Sequence, residues 1–134
     1  MSLTRSDKLP VASDGDVVSV RQRVRALAVE SGFSLVDQTK IVTAASELAR
    51  NTVVHGGGGT VEIEVLAQGV RRGLRLTFRD HGPGIPSIEA AMRDGFTTGG
   101  GLGLGLGGAR RLCNEFEIRS TPGDGTMVQI TRWR

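Results

Sequence analysis

Leu74-Arg75-Leu76-Thr77-Phe78-Arg79-Asp80-His81-Gly82-Pro83-Gly84 is the stretch from which the fold can be read. Leu74, Leu76 and Phe78 alternate with polar residues, the period-two pattern of a half-buried strand. Asp80 is in phase with them and faces the same side. A carboxylate on the core side of a strand is costly unless something hydrogen-bonds it, and the exocyclic amine of adenine is one group able to do so. Gly82 and Gly84 would let backbone approach a flat ring with no Cβ in the way, while Pro83 and Pro86 stiffen the turn. An ordinary Asp-x-Gly turn after a strand also has this sequence, and His81 reads as a turn residue.

Upstream, Val61, Ile63 and Val65 alternate with Glu62 and Glu64, so a second strand pairs with the first through a hairpin at residues 69–73. Before it lie two helical patterns. Val17, Val20, Val24, Leu27 and Ala28 recur at helical spacing over residues 17–31, with Gly32 as the stop. Ser34 and Asp37 resemble a capping box for a second helix running to about Val54, its buried stripe Ile41, Ala44, Ala45, Leu48 and Thr52. Residues 1–8 read as a frayed arm, and residues 9–12 as a short edge strand that tolerates Pro10. Downstream, a short helix is expected over residues 87–93, another over 105–114, and two closing strands over 116–120 and 127–133. Pro122-Gly123-Asp124-Gly125 joins those strands. The order predicts an α+β, two-layer sandwich of helices on a mixed, mostly antiparallel sheet, one domain over residues 9–134.

On the second helix, Glu47 and Asn51 in Glu47-Leu48-Ala49-Arg50-Asn51 are one turn apart at the edge of the apolar stripe, with His55 a further turn on. An amide oxygen is a hard neutral ligand suited to Mg²⁺, and a neighbouring carboxylate can orient or deprotonate a hydroxyl. The same pair alone also fits a solvated helix edge. The third motif is Gly99-Gly100-Gly101-Leu102-Gly103-Leu104-Gly105-Leu106-Gly107-Gly108, whose amides, opening a helix, could bind phosphates. Gly103, Gly105 and Gly108 satisfy G-x-G-x-x-G. However, Phe96-Thr97-Thr98 stand where a dinucleotide fold needs a strand, and Glu115 and Glu117 come too early for its acid. No GK[ST] follows, so it is not a P-loop. A mobile linker would explain the glycines but not the alternating leucines, so a lid over ATP fits better, with Thr97 and Thr98 as hydroxyl donors.

Composition narrows the function classes. With 38% hydrophobic residues and no apolar run near the roughly 20 needed to span a bilayer, a membrane role is not expected. A net charge of +3, no Tyr, one Trp and four Phe argue against a nucleic-acid surface. About half of the 20 glycines fall between Gly95 and Gly125, a local excess that points to function. Cys113, the single cysteine, cannot form an intrachain disulfide, so a reducing cytoplasm is expected.

Taken in order, the three motifs resemble the GHKL ATPases (the Bergerat fold) of gyrase, histidine kinases and MutL, over residues 17–134. Glu47 to Asn51 stands at the family's N box, Asp80 to Gly84 at the D-x-G-x-G box and Gly101 to Gly107 at the second glycine box. Gly125-Thr126 stands at the G-T of the last strands. Within 134 residues there is room for neither a transducer domain nor a dimerising phosphoacceptor domain. The expectation is therefore the stand-alone serine/threonine kinases that regulate bacterial sigma factors. Ser46 to Asn51, residues 94–100 and Leu102 to Leu106 look most like the RsbT-type switch kinases of the stressosome.

This resemblance implies phosphorylation of STAS-domain scaffold or antagonist proteins and activation of a PP2C-type phosphatase in stress signalling, with ATP and Mg²⁺ as cofactors. It implies that Glu47 handles the substrate hydroxyl, that Asn51 holds Mg²⁺, and that Asp80 with Thr126 reads adenine. The remaining nucleotide contacts would come from Gly82, Gly84, Ile85, Thr97, Thr98, Gly99, Gly100, Gly101, Leu102, Gly103, Leu104 and Gly105. Arg50, Arg110 and Arg111 stay open for the γ-phosphate. The alternative is an anti-sigma factor of the RsbW type that sequesters a sigma factor.

Overall fold

A computed structural model of the chain describes residues 2–85, 92 and 105–134. The elements run β1 (Ser2–Val11), α1 (Asp14–Glu30), α2 (Leu35–Val54), β2 (Gly59–Gln68), β3 (Arg71–Asp80), α3 (Gly105–Arg111), β4 (Glu115–Thr121) and β5 (Gly125–Trp133). The short helix expected over residues 87–93 lies outside the described residues, apart from Met92.

Local chemistry sets the helix starts. Ser13 caps α1 by accepting the Asp16 N–H, and the Asp16 carboxylate accepts from Ala12 N–H at 2.9 Å. The helix begins three residues before its apolar pattern because the cap, not the buried stripe, sets the first turn. Ser34 caps α2 as expected, its Oγ accepting the Asp37 N–H at 3.1 Å.

The five strands form one sheet in the order β1-β2-β3-β5-β4, and the sheet expected as mixed is antiparallel at every pairing. Gln68 pairs with Arg71, so the β2–β3 turn is only Gly69-Val70, tighter than the loop expected over residues 69–73. Gly73 lies within the strand, where a Cβ would come within 2.6 Å of the Trp133 ring.

The arm expected at residues 1–8 is, from Ser2 onward, part of β1. It pairs along β2 from Ser2↔Ala67 to Val11↔Gly59, with a register shift between Leu3 and Arg5. Its side chains are mostly exposed, so it carries little hydrophobic signal. What orders it is the free backbone edge of β2, together with the ion pair between Arg23 and Asp7 at 2.7 Å.

One face of the sheet carries the core. Val61 and Ile63 of β2, Leu74, Leu76 and Phe78 of β3, and Val128 and Ile130 of β5 cluster with Val20, Val24, Leu27 and Ala28 of α1 and with Ile41, Ala44, Ala45 and Leu48 of α2. The sheet order makes β3 and β5 antiparallel neighbours, with Phe78 opposite Val128. The end of β3 therefore meets the start of β5, and Asp80 reaches Thr126 across 46 residues of sequence. At the sheet's far side, Arg132 donates to Asp37 Oδ1 at 2.6 Å and to the Leu112 carbonyl at 2.8 Å. These bonds tie β5 to the start of α2 and to the segment after α3.

Candidate functional site

Between α2 and the sheet lies a cavity lined by Leu48, Asn51, Thr52 and His55 from α2, by Phe78 and Asp80 from β3, by Gly84, Ile85 and Leu106, and by Thr126 and Val128 from β5. Its walls are largely apolar and its polar groups few, the composition of a small-molecule site. Thr52 does not add a free hydroxyl, because its Oγ1 donates to the Leu48 carbonyl at 2.9 Å.

Asp80 is the polar centre. Its Oδ1 accepts the Gly82 N–H at 2.9 Å and the Thr126 N–H at 3.2 Å. Among the described residues both bonds fall on this one oxygen, which leaves Oδ2 for a ligand donor. Gly56 makes room for the carboxylate itself, and Gly82 and Gly125 let the backbone around it close up. A Cβ on Gly56 would stand 2.4 Å from Asp80 Cγ, and one on Gly82 would stand 2.8 Å from Gly56 Cα. Gly125 combines a φ of +101° with a Cβ position 2.1 Å from the Asp80 carbonyl oxygen, so only glycine fits there. The end of α2, the turn after β3 and the start of β5 thus converge on one carboxylate.

Thr126 holds Asp80 through its backbone amide rather than its hydroxyl. The Thr126 Oγ1 lies 3.0 Å from Ser120 Oγ, and Ser120 Oγ accepts the Ile85 N–H at 2.7 Å.

Glu47 and Asn51 are one turn apart on α2, but they meet different surroundings. Asn51 is half-buried and lines the cavity. Glu47, expected at the helix edge, is only 3% exposed and stands off the cavity lining. Its Oε1 accepts the N–H of Gly105, the first residue of α3, at 3.2 Å. The carboxylate is therefore tied to the far end of the glycine ladder. Of the ladder and lid residues, Gly105, Leu106, Gly107 and Gly108 are described and buried. Thr97, Thr98, Gly99, Gly100, Gly101, Leu102, Gly103 and Leu104 lie outside the described residues.

Gly82, Gly84, Ile85, Asp80, Asn51 and Thr126 come together as the motif spacing suggests. The sequence reading missed Gly56 and Ser120. Ser120 could have been found as Asp80 was, since it is a polar residue in phase with Phe116 and Ile118 on a strand face turned inward. Gly56 sits in a run of four glycines, and nothing local distinguishes it from its neighbours.

Among the described residues no three His, Cys, Asp or Glu side chains gather into a metal-binding group. Asn51, which lines the cavity, carries an amide oxygen, a hard neutral donor of the type Mg²⁺ takes beside phosphate and water.

The chain is 46% identical over 123 residues to the serine/threonine-protein kinase RsbT of Bacillus subtilis, covering 92% of each chain. It is 32% identical over 118 residues to an anti-sigma F factor of Thermoanaerobacter, covering 84% of this chain and 82% of that one. The crystal structure of the RsbU and RsbW domains of a Mycobacterium tuberculosis protein superimposes with a TM-score of 0.66 at 23% identity. It covers 98% of this chain and 33% of that one, a likeness of fold. The family model of histidine kinase-, DNA gyrase B-, and HSP90-like ATPases matches residues 36–133, and the chain belongs to that family.

Proposed function

We propose that this chain is a protein serine/threonine kinase of sigma-factor regulation. It transfers the γ-phosphoryl group of ATP to STAS-domain scaffold or antagonist proteins, then switches partner to activate a PP2C-type phosphatase in a cytoplasmic stress response. The observation that carries the kinase reading is the 46% identity to RsbT along 92% of both chains. Its site retains an acid and an amide one turn apart beside the Asp80 cavity.

In this reading the cavity takes adenine, with Asp80 Oδ2 accepting its amine. Asn51 would hold Mg²⁺, which when bound would supply charge neutralisation at the phosphates. The glycine ladder would supply backbone amides to the phosphates. Glu47 accepts the proton of the substrate hydroxyl as its oxygen bonds to phosphorus and ADP departs. The contact with Gly105 N–H links the position of this carboxylate to the ladder. Among the described residues no helix is long and apolar enough to cross a membrane.

A second reading is an anti-sigma factor that sequesters a sigma factor, supported by the 32% identity to the Thermoanaerobacter protein. The experiment is transfer of labelled γ-phosphate from Mg-ATP to a STAS-domain protein of the same organism. Glu47→Ala and Asn51→Ala serve as controls. Transfer lost in both variants, with ATP still bound by Glu47→Ala, supports the kinase and its two residues. Transfer retained in Asn51→Ala refutes the metal role. A stable complex with a sigma factor on gel filtration, without phosphotransfer, favours the second reading.

A further inference from the structure

Ser120 occupies the inward side of β4, in phase with Phe116 and Ile118, which pack against the core. Across the hairpin it pairs directly with Thr126. Among the described residues its hydroxyl makes three contacts: Ile85 N at 2.7 Å, Thr126 Oγ1 at 3.0 Å and the Gly125 carbonyl at 3.3 Å. A hydroxyl has one proton and two acceptor positions. The Ile85 amide must donate, and the Gly125 carbonyl must accept. Ser120 therefore gives its only proton to Gly125 and must accept from Thr126. One assignment satisfies all three contacts, and in it the Thr126 proton points at Ser120.

The consequence lies in the cavity. Thr126 lines it, and with its proton committed to Ser120 the Thr126 oxygen can only accept. Asp80 Oδ2 is an acceptor as well. Two acceptors at this end of the cavity favour a ring with an amine and oppose one with a carbonyl. We infer that Ser120 is a specificity-determining positioning residue. It fixes the direction of the Thr126 hydroxyl, and so makes the cavity select a 6-amino purine over a 6-oxo purine. Through the Ile85 amide it also joins the turn after β3 to the β4–β5 hairpin, which holds the two walls in register. This rests on the reading of the cavity as the adenine site.

The test is calorimetric titration of the full chain with ATP and with inosine triphosphate, which replaces the 6-amine by a carbonyl. Ser120→Ala frees the Thr126 hydroxyl to rotate and donate. The preference for ATP over inosine triphosphate should then fall by about five- to tenfold, the size of one hydrogen bond. Ser120→Thr, which keeps a hydroxyl, should restore the preference. A merely structural role would weaken both nucleotides equally and leave the ratio unchanged, which would overturn the inference. Should Ser120→Ala fail to fold, Ser120→Cys keeps the size, weakens the hydrogen bonding and must lower the same ratio. Asp80→Asn separates the two levels of the argument. Unchanged ATP binding in that variant refutes the adenine site and this inference with it. Loss of ATP binding there, with an unaltered ratio in Ser120→Ala, refutes the inference alone.

Discussion

Replacing Gly56 by alanine places one methyl group where the structure has the Asp80 side chain. The new Cβ would lie 2.4 Å from Cγ and 2.5 Å from both Cβ and Oδ2 of Asp80. Carbon atoms in contact prefer about 3.5–4.0 Å, so one partner must retreat by roughly 1 Å. Asp80 is a short side chain pinned at Oδ1 by the Gly82 and Thr126 amides, at 2.9 and 3.2 Å. A retreat of that size breaks at least the longer bond. Overpacking costs about 1–3 kcal/mol, and one net hydrogen bond adds about 1 kcal/mol. Gly56 follows the end of α2, where the backbone can yield, so we expect about 2 kcal/mol and a Tm lowered by roughly 5–10 °C. ATP affinity should fall about 10- to 100-fold, because the displaced carboxylate loses its charge-assisted bond to the ring. Thermal unfolding followed by circular dichroism and calorimetric titration with ATP measure the two effects. Gly15→Ala is the control, because its Cβ would meet only Ser13 Oγ at an ordinary 3.7 Å, and it should be neutral or slightly stabilising. If Gly56→Ala matches the wild type in both Tm and ATP affinity, the crossing of α2 over Asp80 is wrong.

Further expectations concern other parts of the molecule. Asp80→Asn keeps an acceptor for both amides but turns an NH₂ toward the ring, so ATP binding should weaken about 10- to 100-fold with little change in Tm, as titration and unfolding would show. The hydrogen bond from Arg132 holds the Asp37 carboxyl below its usual 3.8. A lowered folded-state pKa contributes stability that is present above 3.8 and lost as pH falls below it. Asp37→Asn should therefore cost about 1 kcal/mol near neutral pH, and denaturant titrations should show that deficit shrinking as the pH falls below 3.8. Burial pushes the Cys113 thiol up to about 12, against the nearby charge of Arg132. Iodoacetamide should accordingly label Cys113 slowly in the native chain and rapidly in denaturant, read by mass spectrometry. Equal rates would refute its burial.

Much of the architecture was legible because hydrophobic period reports which face of an element is buried. The runs at Val17 to Ala28, Ile41 to Thr52, Val61 to Val65 and Leu74 to Phe78 each became an element of the expected type. Legible too were Asp80, an acid in a core-facing phase, and the pairing of Asn51 with its motif. Edge pairing was hidden. Residues 2–8 are ordered by backbone bonds to β2, and backbone bonds leave no trace in side-chain pattern.

The sequence by itself determined the element types, the inward phase of Asp80, and the one-turn spacing of Glu47 and Asn51, because these follow from backbone periods of 2 and 3.6. Tertiary structure alone decided what those residues meet. It buried Glu47 against Gly105 across 58 residues, brought Thr126 to Asp80 by its amide rather than its hydroxyl, and set Gly56 against the carboxylate. Such contacts depend on how β3, β5 and α2 stack. Stacking is fixed by the shape of the whole core rather than by the residues near any one motif.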